Sequence, residues 1–323
     1  MEVDDRGNCK VNNKLKVTVI STVKNEESSI REFLDSLLTQ VRAPDEIIIT
    51  DGGSHDRTTE IINEYIASGA PIRLIVARGN RSVGRNIAIK NAQYDTIACT
   101  DAGCRVDPDW LKNIIKPFES NSNVDIAMGF YRPVADASFG RCVAALITRD
   151  AKRIDPNTFL PSARSVAFKK EVWRKVGGFP EQFSWNEDTP FAIKLRKSSF
   201  RSVFVPQAIV YWRVENGIKD VFLRYHFYAR GDGELRLFKK YFSLYVRYLF
   251  ATIMIVLGFS FRPLWYMTAF CIGSYLGRYA LRVLWKTKIL KGLLWGPTIK
   301  LAIDFGSLTG FVRGLFSSKR WTY

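Results

Sequence analysis

From Lys16 to Thr100 the chain alternates short apolar runs with segments of helical period, and this excludes most architectures. The runs "KVTVIST", "DEIIIT", "PIRLIVA" and "YDTIACT" read as buried strands. Between the first two lies "NEESSIREFLDSLLTQV", whose apolar residues Ile30, Phe33, Leu34, Leu37, Leu38 and Val41 recur at three- and four-residue steps. One face of that helix is therefore apolar. Ser54 suits the cap of a second helix carrying Ile61, Ile62, Tyr65 and Ile66, and "SVGRNIAIKNA" reads as a third, shorter one. Strands regularly separated by helices imply a parallel sheet covered on both faces. In such sheets ligands bind outside the carboxyl ends of the strands. Ser21, Thr22, Asp51 and Asp101 fall at those ends.

After Trp110 the pattern becomes mixed. "VDIAMGFYRP" and "SARSVAF" read as strands, and "KKEVWRKVGGF" as a helix closed by Gly177 and Gly178. "EDTPFAIKLRKS" predicts another helix, followed by strands in "FRSVFVP" and "AIVYW".

The last third has a different character. Tyr241 to Phe261 contains one charge, Arg247, and as a helix would be about 30 Å long, the thickness of a bilayer core. Arg262 and Pro263 break it, and "LWYMTAFCIGSYLG" follows before Arg278. Basic residues flank both outer ends, which fits a hairpin with both ends cytosolic. "GPTIKLAIDFGSLTGFVRGLF" reads as an interfacial amphipathic helix. The net charge of +17 is concentrated here: from Arg213 onward 18 Lys/Arg stand against 5 Asp/Glu. Because these cations are interleaved with apolar runs, the expected partner is anionic lipid and not nucleic acid.

The five cysteines form no CxxC pair and no Cys/His cluster, so neither a disulfide framework nor a zinc site is expected. The polar start reads as a loose tail without a secretory signal. The expected organisation is a tail over 1–15, an α/β domain over 16–212 and a basic juxtamembrane segment over 213–240. A membrane-embedded helical hairpin over 241–285 and a basic amphipathic segment over 286–323 complete it.

Several residues carry chemistry in this pattern. Asp51, followed by two glycines, allows a backbone to approach a ligand closely, or simply makes a tight capped turn. "GNRSVGRN" is not a P-loop, but Arg85 and Asn86 lie near a helix start where phosphate binds well. Asp107 and Asp109 read as capping residues, with Pro108 at the first helical position. Asp101 is different: beside Ala102 and Gly103 it suits a ribose hydroxyl or a cation on a diphosphate. Glu187 and Asp188 sit at a helix start, where the dipole favours acids. About 100° apart around the helix, they need not share a role.

Taken in order, "STVKNEESSIREFLDSLLTQ", "DEIIITDGGSHDRT", "RSVGRNIAIKNA", "TDAG", "VGGFPEQFSWNEDTPFAIKLRK" and "VFVPQAIVYW" resemble a family 2 glycosyltransferase of the GT-A fold. The resemblance covers about 16–212. It implies a GT-A-type nucleotide-binding sandwich with a mostly parallel central sheet, here followed by membrane helices. It also implies an inverting enzyme that uses a nucleotide-diphosphate sugar and Mg²⁺ or Mn²⁺. By the same resemblance Thr22, Val23, Asn25 and Glu26 pack around the nucleotide, and Asp51 bonds its base. Arg85, Asp101, Ala102 and Gly103 belong to the donor pocket, and Asp188, with Glu187 beside it, is the catalytic base.

One position departs from the family pattern: Gly103 stands where the second acid of Asp-x-Asp is expected. Asp101 alone could then hold a hydrated Mg²⁺, His226 could complete a site, or cationic side chains could replace the metal. Trp185 and Arg164 are candidates for an acceptor groove. The apolar C-terminal third suggests a lipid-linked or envelope glycan as acceptor, with the catalytic domain on the cytoplasmic side of a membrane. A sugar nucleotidyltransferase is disfavoured because the loop after the first strand lacks glycine. A degenerate nucleotide-sugar-binding scaffold is the non-enzymatic alternative.

Overall fold

The computed structural model describes residues 15–317 and two short strands before them, β1 (Glu2–Val3) and β2 (Cys9–Lys10), which pair antiparallel. The rest of the tail expected over 1–15 lies outside the described residues. The chain forms two compact units. The first is Met1–Tyr131, Asp155–Phe179 and Phe191–Val210; the second is Arg132–Ile154, Pro180–Pro190 and Tyr211–Tyr323.

The first unit opens with the expected alternation: β3 (Val17–Val23), α1 (Ile30–Leu38), β4 (Glu46–Asp51), α2 (Thr58–Ala67), β5 (Ile72–Val76), α3 (Arg81–Asn91) and β6 (Thr96–Cys99). β7 (Cys104–Val106), α4 (Trp110–Ser120) and β8 (Ile126–Val134) follow, and the chain then passes through α5 (Ser138–Ile147) of the second unit. It returns with β9 (Val166–Lys169) and α6 (Lys170–Lys175), and α7 (Asp188–Lys197) and β10 (Ser202–Arg213) complete this part. The eight-stranded sheet runs in the order β5-β4-β3-β6-β9-β8-β10-β7. β5, β4, β3 and β6 are mutually parallel; β9 is antiparallel to both its neighbours.

Apolar period explains most of these elements. Ile30, Phe33, Leu34 and Leu37 of α1 are fully buried, whereas Val41, past the helix end, is 65% exposed. Register then fixes the edge that matters. Thr22 lies opposite Thr50 and Val23 opposite Asp51, while Ile20 faces Cys99 two residues before Asp101. The carboxyl ends of β3, β4 and β6 therefore share one edge of the sheet.

The helix starts differ from the sequence reading. α4 begins at Trp110 with Asp109 as cap, so Pro108 lies outside it; the Asp107 carboxylate accepts from the Asp109 amide at 3.2 Å. α2 begins at Thr58 with Arg57 at the cap position, and Ser54 is used elsewhere. "FRSVFVP" and "AIVYW" form one strand, β10, with Pro206 inside it.

In the second unit, α8 (Ile218–Glu234), α9 (Phe238–Gly258), α10 (Pro263–Thr287) and α11 (Gly292–Leu315) follow β10. The stretch 213–240 thus contains a long helix. α11 is a packed helix: Gly306, Gly310 and Gly314, four residues apart, each bring its backbone against that of α8 at Phe222, His226 and Arg230. A Cβ at any of them would clash with those carbonyls, and only glycine permits so close an approach. α9 is the opposite. Among the described residues it alone is long and apolar enough to cross a bilayer, and 11% of its most apolar window is buried.

Candidate active site

Two loops at the shared sheet edge are zipped together by polar side chains. The Asn25 amide donates to Ser54 Oγ at 2.9 Å, and Asn25 Oδ1 accepts from the His55 amide at 2.9 Å. The Glu26 amide donates to Thr58 Oγ1 at 2.8 Å. Asn25 has φ of 55°, a left-handed conformation that asparagine tolerates better than most residues. Asp51, 1% exposed, accepts from the Gly53 and Ser54 amides at 2.9 Å each and from the Ser54 hydroxyl. Of the two readings of Asp51, the tight turn is thus present: its carboxylate organises the loop.

Asp101 is held differently. Arg85 Nη2 donates to its Oδ1 at 2.8 Å, and Arg164 Nε lies 4.0 Å from its Oδ2. Burial alone would push this carboxyl up, but Arg85, then Arg164 and Arg81, hold it below the usual carboxylate range. Arg85 is 1% exposed and its guanidinium also lies over the Phe179 ring, 5.3 Å from the centroid. Gly84 makes this position possible. A Cβ there would meet Thr22 Cγ2 and Thr50 Oγ1 at 2.7 Å, so α3 packs directly onto the ends of β3 and β4. Asn86, a candidate for phosphate, spans from α3 to the glycine turn instead: it bonds the Phe179 amide and carbonyl and the Trp173 indole. Arg164, expected in an acceptor groove, stands beside Asp101, with its guanidinium 5.4 Å from the Tyr131 ring centroid.

These residues do not fit a divalent cation. The one acid of "TDAG" has its carboxylate turned to guanidinium groups, and Ala102 is buried. Among the described residues no group of three or more His, Cys, Asp or Glu side chains could hold a metal ion. His226 Nδ1 is engaged by Thr309 Oγ1 at 3.0 Å in the second unit, and burial and neighbouring Arg313 and Arg230 push its pKa down. It is a packed histidine. The carboxylate expected to hold a hydrated Mg²⁺, that of Asp101, is paired with Arg85 in this structure.

The second acidic locus lies in the second unit up to Pro190. Trp185 stacks on Phe227 of α8, centroids 4.0 Å apart and planes within 14°. Asn186, with φ of 52°, donates to Asp232 Oδ1 at 2.7 Å, and the fully buried Asp232 also accepts from Lys240 at 2.6 Å and from Tyr241. A Cβ at Gly231 would collide with the Trp185 carbonyl. So "ARGDGE" clamps "SWNED" and fixes where α7 begins. Glu187 is 4% exposed, and Asp188, the first residue of α7, is half-buried. Asp232 and Asn186 were not anticipated as a pair; only the run of small and acidic residues in α8 hinted at them.

Sequence comparison decides what this edge belongs to. The model of Glycosyl transferase family 2 matches residues 18–204. The chain belongs to glycosyl transferase family 2. Relatives in the family include an uncharacterized glycosyltransferase, EpsJ, of Bacillus subtilis, 27% identical over 61% of this chain and 60% of that protein. The O-antigen chain rhamnosyltransferase RfbN of Salmonella typhimurium is 24% identical over 65% of this chain and 70% of its own. The chain thus spans about 60–70% of the length of these relatives. A solved mannosyltransferase from Pyrobaculum calidifontis, in complex with GDP-Man and Mn²⁺, superposes with a TM-score of 0.67 over 93% of this chain and 87% of its own, at 18% identity. That likeness is one of fold, and the fold is the GT-A type.

Proposed function

We propose that this chain transfers a sugar from a nucleotide-diphosphate sugar to a hydroxyl acceptor with inversion, Asp188 acting as general base. The observation that carries the reading is Asp101 at the shared strand edge of a family 2 domain, gripped by Arg85 and flanked by Arg164. Strand ends are where such sheets bind ligands. Further support comes from solved neighbours that hold nucleotides: GDP-Man in the mannosyltransferase, UDP in a Staphylococcus aureus TarS structure of TM-score 0.52.

In this reading Thr22, Val23, Asn25, Glu26 and Asp51 form the nucleotide side of the site. The acceptor oxygen attacks the anomeric carbon and forms the new C–O bond. The bond from that carbon to the diphosphate oxygen breaks, and the acceptor proton passes to Asp188. Arginines near Asp101 meet the charge that grows on the leaving diphosphate. Glu187 is buried beside the base. The domain over 16–212 is the catalytic part. The exposed apolar face of α9, with Phe242, Leu249, Phe250, Ile253 and Val256, supports a membrane location, the catalytic domain cytoplasmic. An acceptor anchored in or on that membrane, a lipid-linked or envelope glycan, follows.

The test is single-turnover transfer from a panel of sugar nucleotides with wild type and Asp188→Asn. The expected result is a loss of roughly 10²–10⁴-fold in turnover with donor affinity kept. Full transfer by Asp188→Asn would remove that residue from the role.

A further inference from the structure

We propose that Asp232 of α8 is a positioning residue for sugar transfer: it sets the loop that presents Asp188, and its bonds to Lys240 and Tyr241 make that setting depend on the first turn of α9. The proposal rests on the glycosyl-transfer reading, in which Asp188 is the base, and names what holds that base in place. All the residues it uses belong to the second unit.

Asn186 is the first ground. It stands just before Glu187 and Asp188 with φ of 52°, and it governs the turn into α7. Its carbonyl accepts from the Thr189 amide at 3.2 Å, and its Oδ1 accepts from the Thr189 hydroxyl at 2.9 Å. Its Nδ2 donates to Asp232 Oδ1 at 2.7 Å. An ionised carboxylate only accepts, so the amide nitrogen must face it, and the Asn186 side chain has one orientation. That orientation is the one that ties down Thr189, with Asp188 between the two anchored residues. Gly231 closes the other direction. A Cβ there would lie 2.5 Å from the Trp185 carbonyl oxygen and 2.7 Å from Asn186 Cβ. The loop therefore has no room to move toward α8, and the bond from Asn186 to Asp232 resists movement away.

The burial of Asp232 is the second ground. A buried carboxylate is unfavourable unless it is paired and hydrogen-bonded, and an apolar side chain of similar volume would join two helices as well or better. Asp232 is fully buried, its charge is matched by Lys240 Nζ at 2.6 Å, and the Tyr241 hydroxyl is its third donor. Charge-assisted bonds are the stronger kind, and a carboxylate that gathers three donors suits a residue that fixes geometry.

The route to α9 is the third ground. Lys240 and Tyr241 lie in the first turn of α9, and the chain folds back onto Asp232 at Arg236, whose φ is 54°. The Leu237 amide closes that turn on the Asp232 carbonyl at 3.0 Å. Tyr241 is seated on Phe311 of α11, ring centroids 4.6 Å apart. One carboxylate thus joins the loop before α7 to the helix whose apolar face is exposed.

The test follows single-turnover release of nucleoside diphosphate by the full-length chain from UDP-N-acetylglucosamine, GDP-mannose and dTDP-rhamnose, with Mn²⁺ supplied and water as acceptor. Donor affinity is measured by calorimetry, and hydrogen exchange is followed over 184–190. Each variant is first confirmed folded by circular dichroism. Asp232→Asn keeps the side-chain size and removes the charge. It is expected to slow release roughly 10–100-fold, with donor dissociation constants within about threefold of wild type. Exchange at the Thr189 amide should quicken by roughly 10-fold, as the loop opens more often. Asn186→Ala should show the same split, and the double variant should lose no more than the worse single one, because both act through one bond. Tyr241→Phe keeps the ring on Phe311 and removes only the donor. It should slow release by about 3–10-fold alone and not at all in the Asp232→Asn background. Should Asp232→Asn fail to fold, Asn186→Ala and Tyr241→Phe, combined with each other, carry the same comparison.

Wild-type release and exchange by folded Asp232→Asn, with Asp188→Asn slow, would overturn the inference and leave the glycosyl-transfer reading standing. Losses in Asn186→Ala and Asp232→Asn that multiply in the double variant would overturn it as well, and so would Tyr241→Phe at wild-type speed. Fast release by Asp188→Asn would instead remove the base, and with it what Asp232 positions. No release from any donor by wild type would remove both readings.

Discussion

Asp51 and Asp101 lie at the ends of strands in the parallel part of one sheet, and both follow a threonine after an apolar run, yet they are stabilised by different chemistry. Asp51 accepts two backbone amides and a hydroxyl from its own turn. Asp101 accepts from an arginine sixteen residues earlier and faces a second from a distant loop. The first acid is satisfied locally by neutral donors; the second is satisfied only by tertiary charge. An acid at a strand end thus has a legible position and an illegible partner, and the partner decides what the acid does.

The largest consequence falls on the charged pair. Asp101→Ala would leave the Arg85 guanidinium buried without its carboxylate, which typically costs roughly 3–5 kcal/mol. Urea melts should show a large fall in midpoint. A variant as stable as wild type would mean that Arg85 reaches solvent or another acid, and the contrast between the two acids would vanish. Asp51→Ala should cost less, about 1–3 kcal/mol, because the two amides it releases belong to half-buried residues that water can reach. If Asp51→Ala proved the more damaging, the turn would be holding more of the site than its hydrogen bonds imply.

Why one acid could be read and the other only half-read is a matter of distance along the chain. The strands and α1 were legible because apolar period is a local signal, and Ile30, Phe33, Leu34 and Leu37 are buried as that period requires. The turn after Asp51 was legible because Gly52 and Gly53 follow it directly. β7, three residues long, carries too little pattern to be seen. Gly84 looked like a failed phosphate loop, when its purpose is to let α3 touch Thr22 and Thr50. Asn186 and Asp232 lie 46 residues apart, and nothing local ties them. The glycine spacing at 306, 310 and 314 was in plain view, but a stripe of small residues on a basic helix reads as surface until a partner backbone is known.

A subtler difference between the acids should show in pH. Burial raises the Asp101 carboxyl, but Arg85, Arg164 and Arg81 outweigh it and hold it low in the folded chain. Its ionised form therefore adds stability that is fully present above the unfolded value of about 3.9 and is lost as pH falls through the lower folded value. The stability gap between wild type and Asp101→Asn should stay level from neutral pH down to about pH 4 and close below it. A gap that closed between pH 5 and 7 would show that the arginines do not hold this carboxylate.

The smallest expected effect is the most discriminating. Gly103→Asp restores the second acid of Asp-x-Asp, and the space exists: the nearest atoms to its Cβ are ordinary contacts, at 3.7 Å and beyond. Without metal the new carboxylate would sit near Glu26, a repulsion at a solvent-accessible edge that should cost only about 0.5 kcal/mol. With Mn²⁺ the outcome separates the two chemistries. Asp101 and the introduced side chain would together offer two carboxylates, so thermal melts of the variant should rise with Mn²⁺ by mass action while wild type does not move. Arg164→Gln in the same background should enlarge that rise, since one competing guanidinium is gone. Equal Mn²⁺ responses in wild type and Gly103→Asp would show that the cation never depended on position 103, and the arginine cluster would lose its claim to the diphosphate.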